Sequence, residues 1–291
     1  MRENRVTELQ IRKMSQEELG LALSWAALEG WNPGLHDAKT YYLADPHGFL
    51  LAELEGEPIG CISAIKYSAD FAFIGFYLVK PEYRGQGYGM QLWQAALSYL
   101  SGCNIGLDGV AAQQENYQKS GFELAYANVR FQGGVSLENS NKLDKLKGAL
   151  VPLKTLPLSS LMAYEKAFFP ADRTAFMQAW VEQEDANALA YVDEGKVQGY
   201  GVIRQCQSGY KIAPLFADSQ EIARSLITAL TANLAKGSEF FLDVPACHQE
   251  AMLFAKEFAM VPVFETARMY TQTKPELPLN RIYGVTSFEI G

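Results

Sequence analysis

The sequence predicts an α+β fold with a mixed sheet, built twice in tandem, each copy a mostly antiparallel central sheet flanked by helices. Three observations carry this reading. Strand-like and helix-like patterns alternate around an apolar hairpin, which is the order of a mixed sheet with helices on its faces. Matched residues recur at a nearly fixed spacing: Gly56 and Gly60 stand against Gly195 and Gly199 at an offset of 139, Leu107-Asp108 against Leu242-Asp243 at 135, and Lys119 against Lys256 at 137. Finally, 291 residues at 48% hydrophobic and 20% charged suffice for two cores and lie far from the composition of disorder.

The elements follow in order. Residues 7–11 alternate apolar and polar as a strand does, and Ser15-Gln16-Glu17-Glu18 is a capping box opening an amphipathic helix to about Glu29. Trp31-Asn32-Pro33-Gly34 is a loop, because Pro33 biases Asn32 away from helix and Gly34 favours a turn. Apolar runs at 49–54 and 59–67 are strands joined by the hairpin Glu55-Gly56-Glu57-Pro58, and 71–79 is a central strand. A glycine-rich loop at 81–89 leads to a helix over 90–100, a short strand at 104–107, a helix over 113–120 and a strand at 123–131. Gly, Ser, Asn and Lys dominate 132–147, so the chain divides into a first domain at 1–135, a linker at 136–147 and a second domain at 148–291.

Composition also excludes. A net charge of -8 is unsuited to nucleic acid, whose phosphates need concentrated Lys and Arg. No 18-residue apolar run predicts a membrane span, and the polar start Met1-Arg2-Glu3-Asn4-Arg5 is no signal peptide. Cys61, Cys103, Cys206 and Cys247 lie far apart, without metal-type spacing. A cytoplasmic protein with reduced thiols and no metal is expected.

The chemistry is concentrated in Arg84-Gly85-Gln86-Gly87-Tyr88-Gly89, between a strand and a helix. Such a loop aims backbone N–H groups and the positive end of a helix dipole at one point, which suits a pyrophosphate, and glycine lets backbone approach it closely. The G-x-x-x-x-G-K-[S/T] nucleotide loop is absent, and G-x-G-x-G is not the dinucleotide pattern G-x-G-x-x-G.

This loop resembles the [Q/R]-x-x-G-x-[G/A] element of the GNAT acetyltransferases, and Val79-Lys80-Pro81-Glu82-Tyr83 resembles its lead-in. The resemblance implies that amides of Arg84, Gly85, Gln86, Gly87, Tyr88 and Gly89 bind the pyrophosphate of acetyl-CoA, while backbone around Leu78 and Val79 pairs with the pantetheine arm. Downstream, Tyr117-Gln118-Lys119-Ser120-Gly121-Phe122 is similar to the family's Y-x-K-x-G-F corner, which implies Tyr117 as general acid to the departing thiolate. One departure is that Val110 and Ala111 stand where an asparagine is often found, leaving Gln113 or Gln114 as substitutes. The segments 30–37 and 281–288 resemble a bacterial subgroup with two tandem GNAT-like modules.

The second copy has lost these features. Its counterpart to the loop, 213–224, has no glycine and carries Asp218 and Glu221, and Phe254 stands for the tyrosine. Acetyl transfer to an amine also needs a base, because the ordinary ammonium is protonated at neutral pH. The central strand 71–79 holds no carboxylate, so the loop residues Trp31, Asn32, His36 and Asp37 are the candidates for contact with the acceptor. The expected function is acetyl-CoA-dependent N-acetylation of a small-molecule amine by direct attack in a ternary complex. A non-catalytic acyl-CoA-binding sensor is the competing reading.

Overall fold

The structure is a computed structural model and describes residues 8–135 and 146–291. Its first half runs β1 (Leu9–Lys13), α1 (Leu19–Leu28), α2 (Asp37–Tyr42), β2 (Phe49–Leu54), β3 (Glu57–Lys66), β4 (Phe71–Val79), α3 (Tyr88–Tyr99), β5 (Asn104–Val110), α4 (Gln114–Lys119) and β6 (Glu123–Gly134). The second half runs β7 (Ala149–Pro152), α5 (Leu158–Glu165), α6 (Thr174–Glu182), β8 (Ala186–Asp193), β9 (Lys196–Gln205), β10 (Tyr210–Ala217), α7 (Gln220–Thr231), β11 (Glu239–Pro245), α8 (Gln249–Glu257), β12 (Val261–Tyr270) and β13 (Ile282–Gly284). From β4 to β6 and from β10 to β12 the order of elements is the same, so the repeat is structural.

Local chemistry accounts for most boundaries. Ser15 N–H donates to Glu18 at 2.8 Å and Glu18 N–H to Ser15 Oγ at 3.3 Å, so the capping box forms although the regular helix begins at Leu19. The β2–β3 turn places Glu55 and Gly56 at φ 53° and 81°, and the β8–β9 turn places Glu194 and Gly195 at 49° and 76°. Two successive positive φ values make the turn that matches the twist of a hairpin. Asp37, expected in a loop, is instead the first residue of a helix, α2, over Asp37–Tyr42. Strand β6 runs on to Gly134, into the stretch whose composition reads as linker. Gly133 belongs there because a Cβ would come within 2.7 Å of Met260 Cγ. Residues 136–145 of the expected linker lie outside the described residues.

Among the described residues 13 strands join one sheet, in the order β1-β2-β3-β4-β5-β12-β6-β11-β10-β9-β8-β7, with β13 alongside β10. Of these strand pairs only β4/β5 and β10/β11 are parallel among the described residues. The order reveals an exchange. The last strand of the first half, β6, pairs with β11 of the second, and the last strand of the second half, β12, pairs with β5 of the first. The two exchanged strands also pair with each other, from Val261↔Gln132 to Tyr270↔Glu123.

The cores follow the exchange. Ala267 and Met269 of β12 are buried with Leu92, Trp93 and Ala96 of α3, while Phe131 of β6 is buried with residues of α7 and α8. A third cluster joins the halves directly, with the Tyr41 ring stacked on Trp180 at 5.7 Å. Buried ion pairs lock the same seam: Arg130 of β6 to Asp243 of β11 at 2.6 Å, and Arg268 of β12 to Asp108 of β5 at 2.6 Å. A charge in such surroundings persists only when paired.

Candidate active site

Parallel pairing of β4 and β5 runs from Phe71↔Asn104 to Ile74↔Leu107 and stops there. Beyond Ile74 the register of β4 against β3 shifts and Phe76 adopts φ 45°, so β4 bends and its far edge is left without a neighbouring strand. The gap opens into a cavity of about 490 Å³.

Several expected residues meet there. Leu78, Val79, Arg84, Gly85, Gly87, Gly89 and Tyr117 line the cavity, whereas Gln86 and Tyr88 sit in the same loop without lining it. Gly85 and Gly87 take φ 75° and 83°, left-handed values that L side chains rarely adopt, and the space beside both is open. The N–H groups of Gly85, Gln86 and Gly87 have no acceptor among the described residues. Gly87 is the N-cap of α3, so the unpaired amides of the first helical turn face the same way. Arg84 turns its side chain back, its Nε donating to the Val79 carbonyl at 2.8 Å and its guanidinium pairing with Glu29, which pins the loop to the end of α1.

Tyr117 approaches from α4. Its ring lies over Gly109, where a Cβ would stand 2.2 Å from Tyr117 Cε2, and against Trp93 at 5.6 Å between centroids. Its hydroxyl has no hydrogen-bond partner among the described residues. Burial, with Tyr77 nearby, pushes the phenol up to about 12, so it remains a proton carrier across the neutral range. Gln113 also lines the cavity, with its Oε1 accepting from Asn116 at 2.7 Å.

Of the loop residues, only Trp31 lines the cavity. Asn32 bonds Ser208 through both ends of its amide, at 2.8 and 2.9 Å, and ties the loop to the second half. His36 lies at the surface, 3.2 Å from Asp185 and 3.9 Å from Glu184. Asp37 is fully buried, with its carboxylate held by Arg204 at 2.7 and 2.9 Å and by the Gly34 N–H. Buried pairing with a charge from β9 marks Asp37 as an anchor between the halves. The sequence offers no sign of it, because the partner lies 167 positions away.

The remaining walls come from residues that sequence reasoning missed. Arg130, Phe264, Thr266, Phe288 and Glu289 line the cavity, brought in by the exchanged strands and by the segment 285–291. That segment crosses β4 at Gly75, where a Cβ would lie 2.0 Å from the Glu289 carbonyl. Ser63 and Tyr67 donate to the Glu289 and Ile290 carbonyls at 2.9 and 2.7 Å and fix it in place. Their signal in the sequence is faint: a polar Thr286-Ser287 and Glu289 inside an otherwise apolar stretch.

The second half treats the corresponding cleft differently. After Ile212↔Leu242 the β10 edge does not open, because β13 pairs with it at Leu215↔Gly284 and Phe216↔Ile282. Ser219 caps α7 through Ile222 N–H at 3.4 Å, and Asp218, bonded by Tyr164 and Arg281, stands where the first half has bare amides. The tyrosine's counterpart, Phe254, is fully buried.

Comparison with known proteins agrees with this geometry. A family model described as "Acetyltransferase (GNAT) family" matches residues 12–122, and one described as "Acetyltransferase (GNAT) domain" matches 161–284. The chain is 28% identical over 277 residues to the holothin acyltransferase of Pseudoalteromonas sp. (strain SANK 73390), covering 95% of this chain and 92% of that protein. It is 24% identical to the uncharacterized N-acetyltransferase YitH of Bacillus subtilis (strain 168), covering 96% and 97%. In fold it matches a putative acetyltransferase from Pyrococcus horikoshii at a TM-score of 0.81 and 23% identity, covering 100% and 99%. A tandem GNAT protein from the clavulanic acid biosynthesis pathway matches at 0.66 and 12%, covering 92% and 100%.

Proposed function

We propose that this chain, which belongs to the GNAT acetyltransferases and carries two such domains in tandem, moves an acetyl group from acetyl-CoA to the amine of a small molecule. That it is an acyltransferase follows from the family. The finer reading rests on one observation: a free strand edge, an unpaired amide cradle and a tyrosine hydroxyl without a partner among the described residues, all from the first half, share one cavity, while the second half fills its own cleft with β13. Nothing in the geometry favours a non-catalytic sensor.

The residues fit a thioester carrying a pyrophosphate. In this reading Arg84, Gly85, Gln86, Gly87, Tyr88 and Gly89 offer amides to the pyrophosphate, and the open edge at Leu78 and Val79 takes the pantetheine as an added strand would be taken. When bound, acetyl-CoA supplies an activated acyl carbon and a thiolate leaving group. Backbone N–H at Leu78 or Val79 polarises the acyl carbonyl, and Tyr117 donates to sulfur as charge develops there. Trp31 is a wall of the acceptor's approach. His36, Asp37 and Asn32 take no part in this scheme, since they do not reach the cavity. The first domain spans 1–135 and holds the site; 148–291 is a degenerate copy that completes it, joined through 136–147.

Calorimetry with acetyl-CoA tests the reading: one site per chain is expected, and two comparable sites would overturn it. In Gly87→Val, a β-branched residue at a positive φ, affinity should fall by at least tenfold while the melting temperature changes little.

A further inference from the structure

Acyl transfer to an amine requires a base, and β4 carries no carboxylate. Three carboxylates line the cavity from elsewhere, and two of them are paired, Glu29 with Arg84 and Asp108 with Arg268. Glu289 is 4% exposed and lines the cavity next to Gly75. Its Oε2 accepts from Ser287 Oγ at 2.7 Å and from the Tyr41 hydroxyl at 3.2 Å. Its Oε1 accepts from no group among the described residues. The other charges at this end are committed: Arg130 to Asp243, Asp108 to Arg268 and Asp37 to Arg204. Around Glu289 the walls are aromatic. Phe288 and Phe264 lie 5.1 and 5.7 Å from the Arg130 guanidinium, which also donates to the Trp31 carbonyl at 2.7 Å, and the cavity is lined by Trp31, Phe264 and Phe288.

We propose that Glu289 is the catalytic base that receives the ammonium group of the acceptor, and that this acceptor is a primary amine carried on a flat, apolar body. This inference rests on the acetyl-transfer reading above. A carboxylate lacking a cationic partner of its own and seated in an aromatic cleft selects a cation at one end and a ring at the other. The ammonium passes one proton to Glu289, which releases it to solvent. The freed nitrogen lone pair forms the N–C bond to the acyl carbon, and the C–S bonding pair leaves with sulfur. The nitrogen then loses its second proton to Glu289, free again, while Tyr117 holds a hydrogen bond to the departing sulfur, which takes its proton from solvent. The products are an amide and the CoA thiol.

The titratable groups facing Glu289 are Tyr41 from α2, Arg130 from β6 and Lys211 from β10. None of them lies on the segment that carries it.

Tryptamine is the probe, with butylamine as the control that lacks a ring. Wild-type protein is expected to bind acetyl-CoA and to release CoA thiol faster with tryptamine than with butylamine. Glu289→Gln keeps the shape and can still accept from Ser287 and Tyr41. Its turnover at pH 7 should fall on the order of 10²-fold, and should recover towards wild type near pH 10, where the free amine needs no base. By calorimetry with CoA present, its affinity for tryptamine should fall about tenfold while its affinity for acetyl-CoA holds. Glu289→Asp, which keeps the carboxylate, should lie between the two. Equal turnover and an equal pH profile in Glu289→Gln overturn the base, as does equal and complete loss in both variants together with lost acetyl-CoA binding, which would make Glu289 structural. Butylamine acetylated as fast as tryptamine overturns the acceptor class. A wild type that binds no acetyl-CoA overturns the acetyl-transfer reading itself, and with it this inference.

Discussion

Single residues set the chemistry of the cavity through their neighbours. Tyr117 lies where it does because Gly109 has no side chain, and the ring's burial raises the phenol to about 12. In the proposed scheme a donor that weak does not hand its proton outright to a thiolate of ordinary pKa near 8.5; its contribution would be a hydrogen bond that strengthens as the C–S bond breaks. Tyr117→Phe keeps the packing and removes the donor, so kcat should fall on the order of 10²-fold while acetyl-CoA affinity and melting temperature stay put. Because the folded value lies above the ordinary one, ionisation of Tyr117 leaves rates untouched up to pH 10, and the wild-type and Phe profiles should run parallel there. Stopped-flow turnover across pH measures both; an unchanged kcat would remove Tyr117 from the acid's role.

At the scale of elements, the exchanged strands carry charge into the interior. Burial alone would push Asp243 up, but the Arg130 guanidinium, bonded at 2.6 and 2.7 Å, holds it net below its ordinary 3.8, and Arg204 does the same for Asp37. Each carboxylate therefore contributes stability above the ordinary range, which is lost as pH falls through the depressed folded value. For Asp108 burial outweighs Arg268 and the shift is upward, so this pair does not add to the loss in acid. Asp243→Asn leaves Arg130 buried without its counter-charge and should cost about 3–5 kcal/mol at neutral pH. It should also flatten the decline in stability below about pH 4. Urea titrations at a series of pH values give both quantities, and an acid slope equal to that of the wild type would mean that the pair does not couple to folding.

For the whole molecule, the exchange makes the halves one folding unit. Strand β5 has β12 as its neighbour rather than β6, and the cavity has walls from residues more than 100 positions apart in sequence. A fragment of residues 8–135 would leave β5 unpaired on one edge and expose the face of β6 that packs in the second half. It should lack a cooperative thermal transition, whereas the full chain should melt in one. Circular dichroism of fragment and full chain decides this, and a fragment that melts cooperatively would show the exchange to be dispensable.

The sequence by itself determined what is local. Both hairpin turns, the capping box, the glycine loop at the head of α3 and the tyrosine on α4 are legible because the backbone conformations they need restrict residue type over a few positions. The fold class and the repeat were legible for the same reason, since the pattern of each strand and helix recurs at nearly constant spacing. What only the tertiary structure decided is which strand lies beside which, and hence which residues line the cavity. Pairing of β5 with β12 rather than β6 leaves no mark in the hydrophobic pattern, because both strands present the same alternation to a sheet. Asp37 is drawn out of the candidate site for a similar reason: a loop aspartate reads alike whether its partner is a substrate or a buried arginine from another strand. Glu289 enters by the reverse route, from a segment whose place depends on the close approach permitted at Gly75, a contact between residues 214 positions apart that no local pattern encodes.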